Sequence, residues 1–181
     1  MQKKPMYGNQ IEIDEPIKVS VESLPFTETF DCGNEVINDY LKMKAKDDTQ
    51  TVAFMLMDKK NQSVIGYYAL SCSGFIIDCK SHYTIYPAVE IKIFAIDEKY
   101  QHLPYSENID DGTFSDNIFG FVISKIYDFT DNFCGADKII LYSVPKAVNF
   151  YKKNGFLEFE EFMLQSKSRF LDGCIPMYLS L

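Results

Sequence analysis

At 181 residues, 46% of them apolar, the chain is long enough for one sizeable core and too apolar for wholesale disorder, so a single domain over 1–181 is expected. Its formal net charge is −8, with seventeen lysines and one arginine, Arg169, so it lacks the positive field and the guanidinium groups of a nucleic-acid binder; direct nucleic-acid contact is not expected. Apolar runs such as 118–123 fall well short of the ~20 residues a membrane span needs, and no apolar segment follows the lysines of the N-terminus, so no signal peptide, no membrane association and a cytoplasmic location are expected.

In chain order, Ile17-Lys18-Val19-Ser20-Val21 alternates like a half-buried strand. Asp31-Cys32-Gly33-Asn34 forms a turn, after which Val36, Ile37, Tyr40, Leu41 and Lys44 recur at helical spacing over roughly three turns. Residues 52–57 read as a strand, 58–62 as a turn and 63–71 as its antiparallel partner. Residues 88–96 begin in alternation and end as a continuous apolar run, which suits a strand buried on both faces. The segment 97–112 is rich in charge, Asn, Pro and Tyr and must be a loop. Thr113 and Asp116 then form a capping box, opening a long amphipathic helix marked by Ile118, Val122, Ile126, Phe129 and Phe133 and stopped at Gly135. Residues 138–144 are a buried strand. Pro145 starts a short helix that Gly155 ends, and strands near 157–165 and 174–181 close the sheet. The class is α/β, with a mixed sheet whose later part contains a parallel crossover.

The five cysteines (Cys32, Cys72, Cys79, Cys134, Cys174) are scattered without a CxxC pair, and His82 and His102 do not complete a metal site. Buried free thiols and no metal are expected.

Five blocks carry a family resemblance. Ala147-Val148-Asn149-Phe150-Tyr151-Lys152-Lys153-Asn154-Gly155-Phe156 resembles the A-x-x-F-Y-x-x-x-G-F segment of the GNAT superfamily of N-acetyltransferases. Residues 64–71 resemble that family's central hairpin strand. Phe30-Asp31-Cys32-Gly33, Asn38-Asp39-Tyr40-Leu41 and Pro176-Met177-Tyr178-Leu179 resemble its subgroup of toxin–antitoxin acetyltransferases. The resemblance runs from about Ile17 to the C-terminus. It implies the GNAT fold, a mixed and mostly antiparallel sheet with a splayed parallel strand pair, flanked by helices. It also implies acetyl-CoA as cosubstrate and an amine-bearing acceptor: a small molecule, a protein or an aminoacyl-tRNA. An antitoxin or other protein partner, or a homodimer, is compatible with it.

By the same resemblance, the backbone of Phe94, Ala95 and Ile96 would pair with the pantetheine arm, Gln101 would stand at the start of the pyrophosphate loop, and Ala147 would leave room for the coenzyme. Lys152, with Lys153, could reach its 3′-phosphate. Tyr151 is the candidate acid that protonates the departing thiolate. Glu90 is the candidate base, ahead of Asp97 and His102. Of Tyr67 and Tyr68, one ring is expected in the core and the other along the acceptor cleft. The family's Q-x-x-G-x-G/A loop is replaced here by Gln101-His102-Leu103-Pro104-Tyr105 and the acidic Glu107-Asn108-Ile109-Asp110-Asp111. That departure motivates a second reading, a catalytically degenerate member serving as an interaction or regulatory module.

Overall fold

The computed structural model describes residues 6–164 and 173–181; Lys3, Lys4, Gln165 and Arg169 lie outside the described residues. Two compact units emerge, Met1–Ala69 with Ile93–Val122, and Leu70–Lys92 with Ile123–Leu181.

The first unit contains β1 (Ile17–Lys18), β2 (Val52–Asp58), the start of β3 (Ser63–Asp78) and the end of β4 (Tyr83–Ile96), in the order β1-β2-β3-β4. Of the expected 17–21 strand, Ile17 pairs with Met55 and Lys18 with Phe54 of β2, and Val19 N–H still donates to Ala53 C=O at 2.9 Å. Beyond them, Ser20 and Ser23 bond reciprocally and the chain coils into the 3-10 turn Val21–Thr27, because these short hydroxyls offer the backbone an alternative to the ladder.

The helix after Asn34 is an α-turn, α1 (Glu35–Asp39), that widens into a π-turn over Tyr40–Lys44, where Ala45 N–H reaches Tyr40 C=O at 2.8 Å. The wider turn breaks the expected stripe. Leu41 is fully buried, while Val36 stands exposed. Tyr67 lies in the same core; its ring meets Phe30 edge-on and its hydroxyl donates to Ile37 C=O at 2.7 Å. Tyr68 is only 3% exposed and stacks on Phe54, so both rings of the pair are in the core rather than one along a cleft.

The β2–β3 turn is organised by the buried Asp58. It accepts from the N–H groups of Lys60 and Asn61, from Asn61 Nδ2 and from the Tyr100 hydroxyl. Burial pushes its carboxyl up, but these bonds outweigh it and hold the pKa below the ordinary value.

The second unit contains β5 (Lys138–Ser143), β6 (Leu157–Glu158), β7 (Met163–Leu164), β8 (Ile175–Ser180) and α3 (Val148–Lys153). β5 runs parallel to β4 and antiparallel to β8, and β6 adds to β8. The expected 157–165 strand is two short pieces with different partners, since β7 pairs with Ile76 and Ile77 of β3. The exposed pair Glu160-Glu161 interrupts the alternation there, and Met163 N–H closes a turn onto Glu160 C=O. Phe75, Ala88, Ile140 and Met163 form this unit's core, with Phe159 and Tyr178 packed against it. Helix α2 (Phe114–Asn132) runs from one unit into the other.

The cysteines are free, but the expectation that they are buried needs correction: Cys72, Cys79 and Cys134 are exposed, Cys32 and Cys174 half-buried. Among the described residues no helix is long and apolar enough to cross a membrane.

Candidate active site

The site begins with an irregularity in β4. Asp97 N–H donates to Ile65 C=O at 2.9 Å, and Cys79 N–H donates to His82 C=O at 3.0 Å. The span from 65 to 79 is one residue shorter than that from 82 to 97, so β4 carries one extra residue, a bulge. Core membership locates it. On β4 the core residue Ala88 gives way to Ile93 and Ala95, a change of parity. Between them Ala88, Val89, Glu90 and Ile91 are buried in succession. The parallel register with β5 ends at Ile91↔Leu141, although β4 continues to Ile96 and β5 to Ser143.

Glu90 sits in this buried run at 7% exposure, and Lys92 Nζ lies 3.5 Å from its carboxylate. Asp97, by contrast, is a structural cap: its carboxylate accepts from the N–H groups of Asp31 and Lys99 at 3.2 Å each. His102 is exposed, with a φ of 57°.

In the first unit, Ala95 and Ile96 are buried and Phe94 is half-buried, its ring edge-on to Phe119 at 4.9 Å. Gly66 is required beside them, because a Cβ there would stand 2.5 Å from Ala95 O. Gln101 joins this group through its side-chain amide, which donates to Ile96 C=O at 2.7 Å and to Cys32 C=O at 3.1 Å. Its backbone N–H turns to Asp97 and Glu98, so these donors of Gln101 serve the chain itself.

The loop that follows is closed on itself. Tyr105 N–H donates to Gly112 C=O, Asp111 to Asn108, Gly112 to Ile109, and Phe114 to Leu103 at 2.8 Å. The N–H groups of Asn108 and Asp110 turn to the side chains of Ser106 and Asn108. The expected capping box is present: Thr113 N–H donates to Asp116 Oδ2 at 2.9 Å, and Asp116 N–H to Thr113 Oγ1 at 3.2 Å. A helix N-terminus favours anions through its unsatisfied N–H groups. Here the carboxylate of Asp116 already occupies that position.

In the second unit, Pro145 opens a 3-10 turn, Ala147 caps α3, and Tyr151 follows one turn later. Asn154 N–H and Phe156 N–H both return to Tyr151 C=O at 3.0 Å, and Gly155, at φ 87°, makes the left-handed stop. Phe150 and Phe156 meet the Tyr151 ring edge-on at 5.3 and 6.0 Å. Burial pushes its hydroxyl up to about 12, so it is held protonated. Lys152 makes an ion pair with Glu158 at 2.6 Å, both partners being about half exposed. A phosphate would have to compete with that carboxylate.

The predicted residues therefore fall into two groups, Phe94, Ala95, Ile96 and Gln101 in one unit and Glu90, Ala147, Tyr151 and Lys152 in the other. Sequence reasoning missed the bulge and the tie between Gln101 and β4. The one signal of the bulge was the failing alternation around Glu90. Among the described residues no group of His, Cys, Asp and Glu could hold a metal ion.

No family model and no curated protein matches the chain. Among solved structures it is similar to a bacterial toxin, with a TM-score of 0.69 and 18% identity, covering 94% of this chain and 91% of that one. It is also similar to AtaT complexed with acetyl-methionyl-tRNAfMet (TM-score 0.66, 19% identity, 93% and 95% covered). A third is a Tyr-to-Phe mutant of the AtaT toxin bound to the C-terminus of the antitoxin AtaR and acetyl-CoA (TM-score 0.64, 16% identity, 93% of each chain). With near-complete coverage in both directions, the bulged β4, the β4–β5 ladder that stops early and the helix bearing Tyr151 identify the chain as a GNAT fold.

Proposed function

We propose that the chain is an acetyl-CoA-dependent N-acetyltransferase of the toxin-like kind, acting on an amine. The observation that carries this reading is Tyr151, placed one turn behind Ala147 by Pro145 and Gly155, a phenol that stays protonated across the neutral range. When bound, acetyl-CoA supplies the activated acyl group. The backbone of Phe94–Ile96 receives the pantetheine arm as an added strand. The amine nitrogen forms its bond to the acyl carbon as the carbon–sulfur bond breaks. Tyr151 O–H donates to the departing sulfur, and Glu90, directly or through water, takes the proton the amine releases.

The thioester half of the site fits this chemistry better than the pyrophosphate half, where the amides of Tyr105, Asp111, Gly112, Thr113, Phe114 and Asp116 already have partners. That favours a second reading, a degenerate member working through a protein partner. AtaT bound to an antitoxin C-terminus supports a partner of antitoxin type for either reading. The acceptor follows the same comparison: AtaT in complex with acetyl-methionyl-tRNAfMet makes the amine of a charged tRNA the first to test, against the repulsion expected from a net charge of −8.

The experiment is transfer of label from radiolabelled acetyl-CoA to small amines, peptide amines and charged tRNA in parallel. Label on any one acceptor above the Tyr151→Phe control supports the transferase reading and names the acceptor class. Label on none, with a protein partner captured, favours the second.

A further inference from the structure

Residues 7–11 cross the loop that would meet the coenzyme's pyrophosphate. Gly8 N–H donates to Pro104 C=O at 2.9 Å and Asn9 N–H donates to Tyr105 C=O at 2.8 Å, while Ile11 N–H closes back onto Gly8 C=O. The segment is anchored beyond that point. Asp14 N–H reaches Met57 C=O, Ile13 bridges to Asp58, and Glu12 pairs with Lys59 at 2.6 Å. Gly8 is buried directly on Phe114, the first residue of α2; a Cβ there would stand 2.6 Å from the Phe114 ring, which is itself 1% exposed.

The loop is thus gripped from two sides. The strap holds the carbonyls of Pro104 and Tyr105, and the α2 start holds Leu103 C=O and the bridge between Pro104 and Thr113. In this arrangement the N–H groups of Tyr105, Asp111, Gly112, Thr113, Phe114 and Asp116 all donate within the chain. A pyrophosphate binds such a loop through backbone N–H groups, so the gripped form offers it little.

We propose that the strap Tyr7–Ile11 is an autoinhibitory latch: it holds loop 104–113 in a form that refuses the pyrophosphate, and its release admits acetyl-CoA. The inference rests on the transferase reading above. Freeing the carbonyls of Pro104 and Tyr105 loosens the Pro104–Thr113 bridge and returns the amides of Tyr105 and Phe114, the two that make it, to the ligand. A hydrogen bond of ordinary net strength shifts such an equilibrium about fivefold.

Two variants loosen the strap by different means. Gly8→Ala drives a methyl group into Phe114, and Asn9→Pro removes the donor to Tyr105 without touching the Phe114 ring. Calorimetry with acetyl-CoA and with acetyl-pantetheine, which lacks the pyrophosphate, is compared between each variant and the unaltered chain, with circular dichroism confirming the fold. The latch predicts acetyl-CoA binding about fivefold tighter or more in both variants and unchanged acetyl-pantetheine binding. It also predicts faster amide hydrogen exchange at Tyr105 and Phe114. Acetyl-CoA affinity that is unchanged or weaker in Asn9→Pro, with acetyl-pantetheine still bound, overturns the latch alone. Failure of every form to bind either ligand overturns the latch together with the transferase reading.

Discussion

Replacing Tyr151 by Phe removes one hydroxyl and leaves the ring, so its edge-on contacts with Phe150 and Phe156 are retained and stability should change little. The catalytic effect can be sized from the hydroxyl's environment. Burial pushes its pKa up to about 12, roughly three to four units above an ordinary thiol, so full proton transfer to a thiolate is uphill. Tyr151 therefore acts chiefly by donating a strong hydrogen bond to the sulfur as negative charge develops there. A hydrogen bond to a charged group contributes about 1.5–3 kcal/mol, which corresponds to roughly 10- to 150-fold in rate. The assay is steady-state transfer with acetyl-CoA varied. The account expects kcat to fall within that range, KM for acetyl-CoA to stay nearly constant, and the thermal midpoint to be unmoved. Because the hydroxyl stays protonated, the rate should show no descending limb from this group until the pH approaches 12. Unchanged kcat, or a loss wholly explained by a lowered midpoint, would refute the role given to Tyr151.

Three further outcomes follow from the packing. Gly66→Ala sets a methyl group against Ala95 O and should destabilise the chain by about 1–3 kcal/mol in denaturant unfolding; an unchanged midpoint would mean that β3 and β4 can separate without loss. Tyr100→Phe deprives the buried Asp58 of a hydroxyl donor and should cost about 1–3 kcal/mol by the same measurement. Burial raises Tyr40, Tyr68, Tyr100 and Tyr151 to about 12 and pushes Tyr67 up as well. A raised folded-state pKa means their contribution is fully present below the ordinary value of about 10 and is lost as pH climbs from there toward 12. Unfolding midpoints should accordingly be flat from about pH 8 to 10 and fall above it, with the absorbance of ionised tyrosine appearing together with unfolding rather than before it.

The elements that could be read in advance are those whose determinants are local. Pro145, Gly155 and the aromatic pair between them specify α3 within a dozen residues, and Thr113 with Asp116 marks the start of α2 through a reciprocal bond three positions apart. Elements set by distant partners could not be read in this way. The β4 bulge follows from how two long strands register against each other, and composition shows it only as a lapse in alternation near Glu90. The grip of Gly8 and Asn9 on Pro104 and Tyr105 joins backbone groups almost a hundred positions apart, and backbone groups leave no mark in side-chain pattern. The same holds at the 157–165 segment, where a plausible strand divides because β8 and β3 each take one end of it. Alternation of Tyr67 and Tyr68 placed one of the two rings along a cleft, but Phe54 covers Tyr68 and both tyrosines are buried.

A loop with acidic residues and several bonded amides either still belongs to a coenzyme site or has lost that role. Titration of the purified chain with acetyl-CoA in a calorimeter, with coenzyme A and acetyl-pantetheine as comparisons, addresses that most directly. Saturable binding of acetyl-CoA, tighter once Asn9→Pro loosens the strap and weakened when the coenzyme lacks its acetyl group, is the predicted result. Absence of heat at millimolar ligand from the unaltered chain and from Gly8→Ala and Asn9→Pro alike, each shown to be folded, would contradict the transferase reading.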